Sequence, residues 1–232
     1  RDDLPVSDLV SHIRYARGKI RSSIPVGTAD IPAAFLENPA LTEACDVVCV
    51  NIYPFHSGIR ADIAIQDLDA VYKSVAGAAV GKKIIVTETG WPSEGTRQGN
   101  AVPSGVNSGR YFEDVYHFSR EEDIEIVWFS SYSEPWKAAG ADYEAHFGLF
   151  TSDERLKGQF GAILRTILDV PSDDDNDESS ESETSSSSES ETSSSESSVG
   201  GCATSPGIWG FTNLSFCAVT GLFVVKLFKK RS

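Results

Sequence analysis

The stretch "KKIIVTETGWPSEG" at residues 82–95 places a carboxylate at the end of an apolar run. The apolar residues from Ile84 to Val86 favour a β-strand, and the Gly-Trp-Pro that follows soon after Glu88 ends it, so the stretch predicts a buried strand running into a loop. A charge in that position is costly unless solvent or a partner reaches it. Active sites of parallel α/β proteins collect at this end of the strands, which makes Glu88 the first candidate for chemistry.

Helix-like and strand-like stretches alternate on both sides of this strand through residues 1–171. Apolar spacing and apolar runs predict helices over 6–20, 64–78 and 111–118, and strands over 24–30, 45–55, 83–88 and 124–134. Four such units are typical of a parallel sheet covered by helices, and they make half of an eight-stranded barrel. We therefore expect an α/β fold that is the C-terminal half of a (β/α)8 TIM barrel. A doubly wound open sheet is the alternative, although no Gly-rich phosphate loop follows any strand.

The start of the chain and its lack of Met suggest that it belongs to a longer protein. The sequence begins with Arg1 and contains no Met, and helical periodicity starts almost at once. We expect the N-terminal half of the barrel to be missing from these 232 residues.

Two segments of unusual composition follow the barrel segment. Residues 172–198, the acidic linker, hold 4 Asp and 6 Glu among Ser and Thr with no basic residue, which predicts a disordered stalk. Residues 199–232, the anchor segment, begin with an uncharged stretch to Val225 and end with basic residues. This pattern predicts a single transmembrane helix, with a cleaved lipid-anchor signal as the alternative. We expect a secreted, membrane-anchored protein at the cell surface; a cytosolic kinase-substrate tract is the other interpretation of the linker.

Charge and cysteine content argue against two classes of protein. The net charge is -14, and no basic stripe exists that could hold nucleic acid. The four cysteines show no metal-ligand spacing with histidine, and the histidines share no motif. We expect no metal and no cofactor.

The C-terminal ends of the predicted strands carry carboxylates, an amide and large aromatic rings. In chain order they are Asp30, Asn51, Tyr53, Glu88, Trp91, Tyr132, Glu134 and Trp136. Polar groups flanked by flat apolar surfaces suit a carbohydrate, whose hydroxyls form hydrogen bonds while its C–H faces stack on rings. Two carboxyl groups break a glycosidic bond, and Glu88 is the natural nucleophile. A structural carboxylate paired with Arg or Lys is the alternative for this residue.

Four motifs closely resemble glycoside hydrolase family 17, the β-1,3-glucanases and related glucanosyltransferases. In chain order they are "VNIYPF" at 50–55, "VTETGWPSEG" at 86–95, "EPWK" at 134–137 and "EAHFGLF" at 144–150. The resemblance spans residues 1–160 and implies a (β/α)8 barrel and a retaining mechanism with Glu88 as nucleophile. The family's general acid lies in a "GNE" motif that this sequence does not contain. We therefore expect the general acid outside this chain, and the chain alone to be inactive.

The resemblance also assigns supporting roles around Glu88. It implies a charged cluster of Glu134, Lys137 and Glu144, in which Lys137 would keep nearby carboxylates ionised. Many relatives have an acidic or amide residue where this chain has Ser133. The residues that we expect to contact glucan are Asn51, Tyr53, Trp91, Tyr132 and Trp136. We expect Phe55 and Trp128 to pack the core, and Glu94 to lie in solvent.

The sequence therefore predicts an enzyme of cell-wall glucan metabolism that hydrolyses β-1,3-glucan or transfers it to another glucan hydroxyl. A non-catalytic glucan-binding protein of the cell surface is the alternative, because the general acid is absent. A second alternative is an interaction protein that acts through the acidic linker.

Overall fold

The computed structural model describes residues 4–168 and the backbone of residues 218–219 and 222–223. The prediction for the acidic linker lies outside the described residues, as do the predictions for most of the anchor segment. Within that segment, β5 (Ala218–Val219) pairs antiparallel with β6 (Leu222–Phe223). Among the residues that the structure describes, no helix combines the length and apolar character needed to cross a bilayer.

Within residues 4–168, four parallel strands form one sheet in the order β1-β2-β3-β4. Their bounds are β1 Ala29–Asp30, β2 Val47–Asn51, β3 Lys83–Thr89 and β4 Glu125–Trp128. Each strand is paired with the next one along the chain, whereas a doubly wound sheet reverses its strand order at one point. This sequential order confirms the parallel α/β fold and favours a segment of a barrel.

The helices of residues 4–168 form the outer layer. Their bounds are α1 Val6–Arg17, α2 Pro32–Glu37, α3 Pro39–Ala44, α4 Ala64–Ala78, α5 Gly105–Glu121 and α6 Gly158–Leu168. Helix α2 packs on α4, α4 on α5, and α5 on α6, so neighbouring helices follow the order of the strands. Ser104 caps α5 by accepting a hydrogen bond of 3.1 Å from the backbone N–H of Asn107.

The core lies between the sheet and these helices. Alternate residues of the central strands are buried, as in Val48 and Val50 of β2 and Ile84 and Val86 of β3. The helices cover them with apolar side chains, which include Leu68, Val75, Tyr111 and Val115. The period of two along each strand therefore directs one face to the core and the other, including Asn51 and Ile85, away from it. The register of β3 shifts after Val86, so that Thr87 and Glu88 are both half-buried and Thr89 is buried.

The first predicted strand is shorter than the sequence suggests. Residues 24–30 form a ladder only at β1, although Val26 and Thr28 still accept backbone hydrogen bonds from Asp46 and Cys49. The chain passes very close to β2 here, since a Cβ atom at Gly27 would lie 1.9 Å from the carbonyl oxygen of Val47.

The prediction that the fourth strand extends over 124–134 is wrong in its second half. Strand β4 ends at Trp128, and a cis peptide joins the next two residues, Phe129 and Ser130. Beyond this point the chain bonds to the segment around Leu149, whose N–H donates to the carbonyl of Ser130 at 3.0 Å. Tyr132 and Glu134 therefore lie in a loop, and Trp136 lies in the short 3-10 helix Pro135–Ala139 that follows.

Candidate active site

Glu88 lies half-buried at the C-terminal end of β3, directly opposite Asn51 of β2. Its backbone carbonyl accepts a hydrogen bond of 2.9 Å from the N–H of Ile52, which continues the pairing of β2 and β3 past a register shift. Tyr53 follows at once, and its hydroxyl donates a hydrogen bond of 3.0 Å to Oε2 of Glu88. Two neighbouring strand ends thus fix the carboxylate, as the sequence predicts for a group held rigidly at this edge.

Tyr53 is held by surrounding aromatic rings. Its ring meets those of Phe129 and Phe147 edge-on, with centroids 6.3 Å and 5.8 Å away, and lies 4.9 Å from the ring of His56. Burial raises the pKa of the Tyr53 phenol far above its usual range, and the negative charges of Glu88 and Glu144 raise it further. Tyr53 therefore stays protonated and acts as a hydrogen-bond donor to Glu88.

Asn51 is bonded within the protein. Its Oδ1 accepts a hydrogen bond of 2.8 Å from the hydroxyl of Thr87, the residue before Glu88. The sequence leaves open whether Asn51 contacts a sugar hydroxyl or helps to orient Glu88. Through its bond to Thr87, Asn51 supports the end of β3 next to Glu88. Contact of Asn51 with glucan stays a prediction.

The charged residues that we expect to form one cluster form two pairs. Nζ of Lys137 lies 2.5 Å from Oε2 of Glu134, and Oε1 of Glu144 lies 3.7 Å from Nε2 of His56. Nζ of Lys137 also lies 4.6 Å from the centre of the Phe129 ring. The aromatic rings of Phe129, Tyr53 and His56 thus connect the two pairs across the site.

His56 is a member of this site that the sequence analysis missed. It follows "VNIYPF" directly, but its pairing with Glu144 depends on a contact across 88 positions of the chain that no local motif reveals. Burial lowers the pKa of the His56 imidazole, and the charge of Glu144 opposes this shift in part. The lowered pKa favours the neutral form of His56, so its contact with Glu144 is an ion pair only when the imidazole is protonated.

The aromatic residues expected to contact glucan differ in their exposure. Trp91 is completely buried, and its indole N–H donates to the carbonyl of Val102 at 3.0 Å. The expectation that Trp91 contacts glucan is therefore wrong for this structure: its ring packs against Phe55 and Tyr111 instead. Trp136, by contrast, is 71% exposed, so its ring is accessible.

The remaining expectations for this region concern exposure and packing. Tyr132 is 37% exposed, and its ring lies 5.4 Å from that of Phe150. Phe55 and Trp128 are buried, which confirms that they pack the core, and the side chain of Glu94 is 71% exposed to solvent. The Ser133 hydroxyl is buried and has no hydrogen-bond partner within residues 4–168.

Lys157 supports the loop behind Glu88 and was also missed. Its Nζ donates to the hydroxyl of Ser93 at 2.8 Å and to the carbonyl of His146 at 3.0 Å. Burial lowers the pKa of the Lys157 ammonium to about 8, and the charge of Glu94 opposes the shift. Lys157 therefore joins the loop after β3 to the "EAHFGLF" segment.

Known proteins match this chain in sequence and in fold. A glucan 1,3-beta-glucosidase of Candida albicans is 29% identical over 164 residues, which are 66% of this chain and 53% of the relative. A glucan 1,3-beta-glucosidase of Saccharomyces cerevisiae is 28% identical over 167 residues, covering 66% of this chain and 52% of the relative. The chain spans about half the length of the curated relatives that it matches.

A solved structure shares both the fold and a substantial part of the sequence. The crystal structure of a glycoside hydrolase family 17 beta-1,3-glucanosyltransferase from Rhizomucor miehei superposes with a TM-score of 0.63 and is 31% identical. The match covers 68% of this chain and 58% of that one. An active-site mutant of the same enzyme, in complex with laminaritriose, matches equally well.

The family model of the BtgE/BtgC glycoside hydrolase domain matches residues 1–148. This range contains the whole four-stranded sheet and the residues that surround Glu88. The resemblance in the sequence motifs to family 17 is thereby confirmed, and the chain belongs to the BtgE/BtgC glycoside hydrolase family.

Proposed function

We propose that this chain carries the nucleophile of a retaining glycoside hydrolase or glucanosyltransferase acting on β-1,3-glucan, and that this nucleophile is Glu88. The observation that supports it most directly is the hydrogen bond of 3.0 Å from Tyr53 to Glu88 at the C-terminal edge of a parallel sheet. Such a donor holds one carboxylate oxygen in place, and the other oxygen is thereby oriented for attack. The curated relatives are named for the cleavage of 1,3-beta-glucan.

The proposed reaction proceeds in two steps. Glu88 attacks the anomeric carbon and forms a glycosyl-enzyme while the leaving oxygen takes a proton from a general acid, which sits about 5–5.5 Å from the nucleophile in retaining enzymes. Water or another glucan hydroxyl then attacks the same carbon, gives its proton to the carboxylate that the general acid has become, and releases Glu88, which results in hydrolysis or transfer. Since no "GNE" segment occurs in the sequence, we propose that the acid comes from outside these 232 residues.

The exposed rings near Glu134 suggest how a glucan chain is held. Trp136 has an accessible indole ring, and Tyr132, four residues earlier in the chain, is partly exposed. The C–H faces of glucose residues can stack on such rings, and we propose that this loop guides the polysaccharide past Glu88. We also propose that the acidic linker and the anchor segment hold this domain at a membrane surface, where cell-wall glucan is within reach.

Covalent labelling tests the nucleophile without requiring the general acid. A 2-fluoro laminaribioside with a dinitrophenyl leaving group loses an anion that needs no proton, and its fluorine slows breakdown of the glycosyl-enzyme. We expect intact mass spectrometry to show one added disaccharide on the wild-type chain, with peptide mapping to Glu88. Glu88→Gln should abolish the label, whereas Glu94→Gln, at an exposed position in the loop that follows β3, should retain it. A label at another carboxylate, or one that persists in Glu88→Gln, would contradict the assignment.

The alternative is a glucan-binding protein without catalysis. The side chain of Trp136 is 71% exposed. This exposure supports a binding protein as much as an enzyme, because a ring that stacks on glucan would serve either function. Co-sedimentation of the chain with insoluble β-1,3-glucan separates the two. Binding combined with no labelling of Glu88 would support the alternative, whereas labelling at Glu88 would exclude it.

A further inference from the structure

A cavity of about 440 Å³ lies beside the loops that follow β2 and β3, and none of its lining residues belongs to the cluster around Glu88. Three arginines line it from three different segments: Arg60 before α4, Arg97 in the loop after β3, and Arg110 in the second turn of α5. We call this cavity the arginine pocket. Two amides, Asn100 and Asn107, also line it.

The charge of the arginine pocket is opposite to that of the whole chain. Its ionisable lining is Arg60, Arg97, Arg110 and Asp62, which is three positive charges against one negative. The whole chain has a net charge of -14. Since like charges repel, guanidinium groups around one cavity cost free energy wherever neither a protein carboxylate nor a ligand neutralises them.

The arginines differ in how far protein carboxylates already neutralise them. Arg60 donates from Nε to Asp62 at 3.0 Å, and Nε of Arg110 lies 3.8 Å from Asp114. Arg97 donates from Nε to the carbonyl of Gly99 at 2.9 Å and forms no ion pair with a carboxylate within residues 4–168. The Arg97 guanidinium is thus oriented by a neutral backbone group and keeps its full positive charge at the pocket.

The two loops that carry these groups are held together by the backbone. The N–H of Asn100 donates to the carbonyl of Gly58 at 3.0 Å, and Gly58 and Gly99 approach so closely that a Cβ on either would lie within 3.3 Å of the other. The carbonyl of Val102 accepts from both the Trp91 indole and the amide of Asn107. The arginine pocket is therefore preformed and does not depend on a ligand to bring its loops together.

Guanidinium groups pair with oxyanions through parallel N–H···O bonds, which neutral glucan cannot match. The arginine pocket is open to solvent and polar, and its volume exceeds what a single phosphate group fills. The side-chain carbonyl oxygens of Asn100 and Asn107 are groups that can accept hydrogen bonds from hydroxyls. We propose that the arginine pocket binds a sugar that bears an oxyanion, either a phosphate monoester or a carboxylate. This site does not rest on the function proposed for Glu88.

Isothermal titration of the full chain with four probes tests this proposal. We expect glucose 6-phosphate and glucuronate to bind, inorganic phosphate to bind more weakly, and glucose to give no heat. Arg97→Gln should weaken the binding of glucose 6-phosphate by about tenfold or more, since a charge-assisted hydrogen bond is lost. Arg97→Lys should give an intermediate affinity because it keeps the charge but loses the fork. Arg120→Gln, at the far end of α5, is the matched control and should bind as wild type does.

Several results would overturn the proposal. Equal affinity for inorganic phosphate and glucose 6-phosphate would show that the sugar contributes nothing, and unchanged binding in Arg97→Gln would place the anion elsewhere. Displacement of glucose 6-phosphate by a peptide of residues 172–198 at equal concentration would make the chain's own acidic linker the occupant. Glu88→Gln should bind all probes normally, so failure of the nucleophile assignment and failure of this site are distinguishable.

Discussion

The hydroxyl of Tyr53 donates a hydrogen bond of 3.0 Å to Oε2 of Glu88, and this bond crosses from the loop after β2 to the end of β3. The two residues are 35 positions apart in the sequence. Because the aromatic rings of Phe129 and Phe147 fix Tyr53, the bond fixes the carboxylate in turn.

Removing the Tyr53 hydroxyl should slow the covalent labelling of Glu88. Tyr53→Phe keeps the ring and its packing but loses the donor. We expect labelling to slow by about tenfold to a hundredfold, because a hydrogen bond to a charged group contributes about 1.5–3 kcal/mol. The rate of mass gain under the fluorinated disaccharide measures this. Tyr15→Phe, on an exposed ring of α1, should leave the rate unchanged. Equal rates in Tyr53→Phe and wild type would show that the bond does not act on the nucleophile.

A methyl group at residue 90 should destabilise the fold. The added Cβ of Gly90→Ala would lie 2.1 Å from the carbonyl oxygen of Phe129 and 3.0 Å from the Phe147 ring. We expect a loss of about 2–4 kcal/mol in the free energy of unfolding, measured by denaturant titration. Gly77→Ala in α4, where a Cβ meets nothing within 4 Å, should instead stabilise the chain by about 0.5–1 kcal/mol. A similar effect of both substitutions would refute the packing explanation.

The Lys157 ammonium should make stability depend on alkaline pH. Its pKa is about 8 in the folded chain and 10.5 as the ordinary value, so between these values the unfolded chain holds a proton that the folded chain has lost. The cost of burying the charge is therefore present below pH 8 and disappears as pH rises to 10.5, which stabilises the wild type. The free energy of unfolding of wild type minus that of Lys157→Met should rise across this window. A constant difference would mean that Lys157 titrates normally.

Loss of the Trp136 ring should weaken glucan binding without affecting the fold. The side chain is 71% exposed, so Trp136→Ala removes little packing but deletes a stacking surface. We expect about threefold to tenfold weaker co-sedimentation with insoluble β-1,3-glucan, the range for one aromatic contact. Tyr15→Ala, which removes an equally exposed ring from α1, should bind like wild type. Undiminished binding by Trp136→Ala would remove this residue from the substrate path.

Sequence patterns predicted the elements of the sheet better than their ends. The run from Ile84 to Val86 identified β3 because the strands of a parallel sheet covered by helices contain near-continuous apolar runs. The end of β4 at Trp128 escaped prediction because Phe129 and Tyr132 extend the aromatic character of the strand beyond its end. Only their backbone bonds to the segment around Leu149 turn that part of the chain away from the sheet.

The roles of the aromatic residues could not be read from residue type. Trp91, Tyr53 and Trp136 all follow strand ends, yet one is buried, one holds Glu88 and one faces solvent. Exposure depends on which other segments cover a ring, as Phe55 does for Trp91, and no local pattern reveals them. For Trp91 the covering group is Val102, whose carbonyl accepts the indole N–H.

The sequence by itself determined the class of fold, the position of Glu88 at a strand end and the family to which the chain belongs. These follow from local quantities, namely the apolar content of strands, helical periodicity and short motifs. Tertiary structure alone decided that Tyr53 donates to Glu88, that His56 pairs with Glu144, and that three arginines converge on one cavity. Each of these is a contact between segments far apart in the chain, and packing of the sheet against its helices sets its distance.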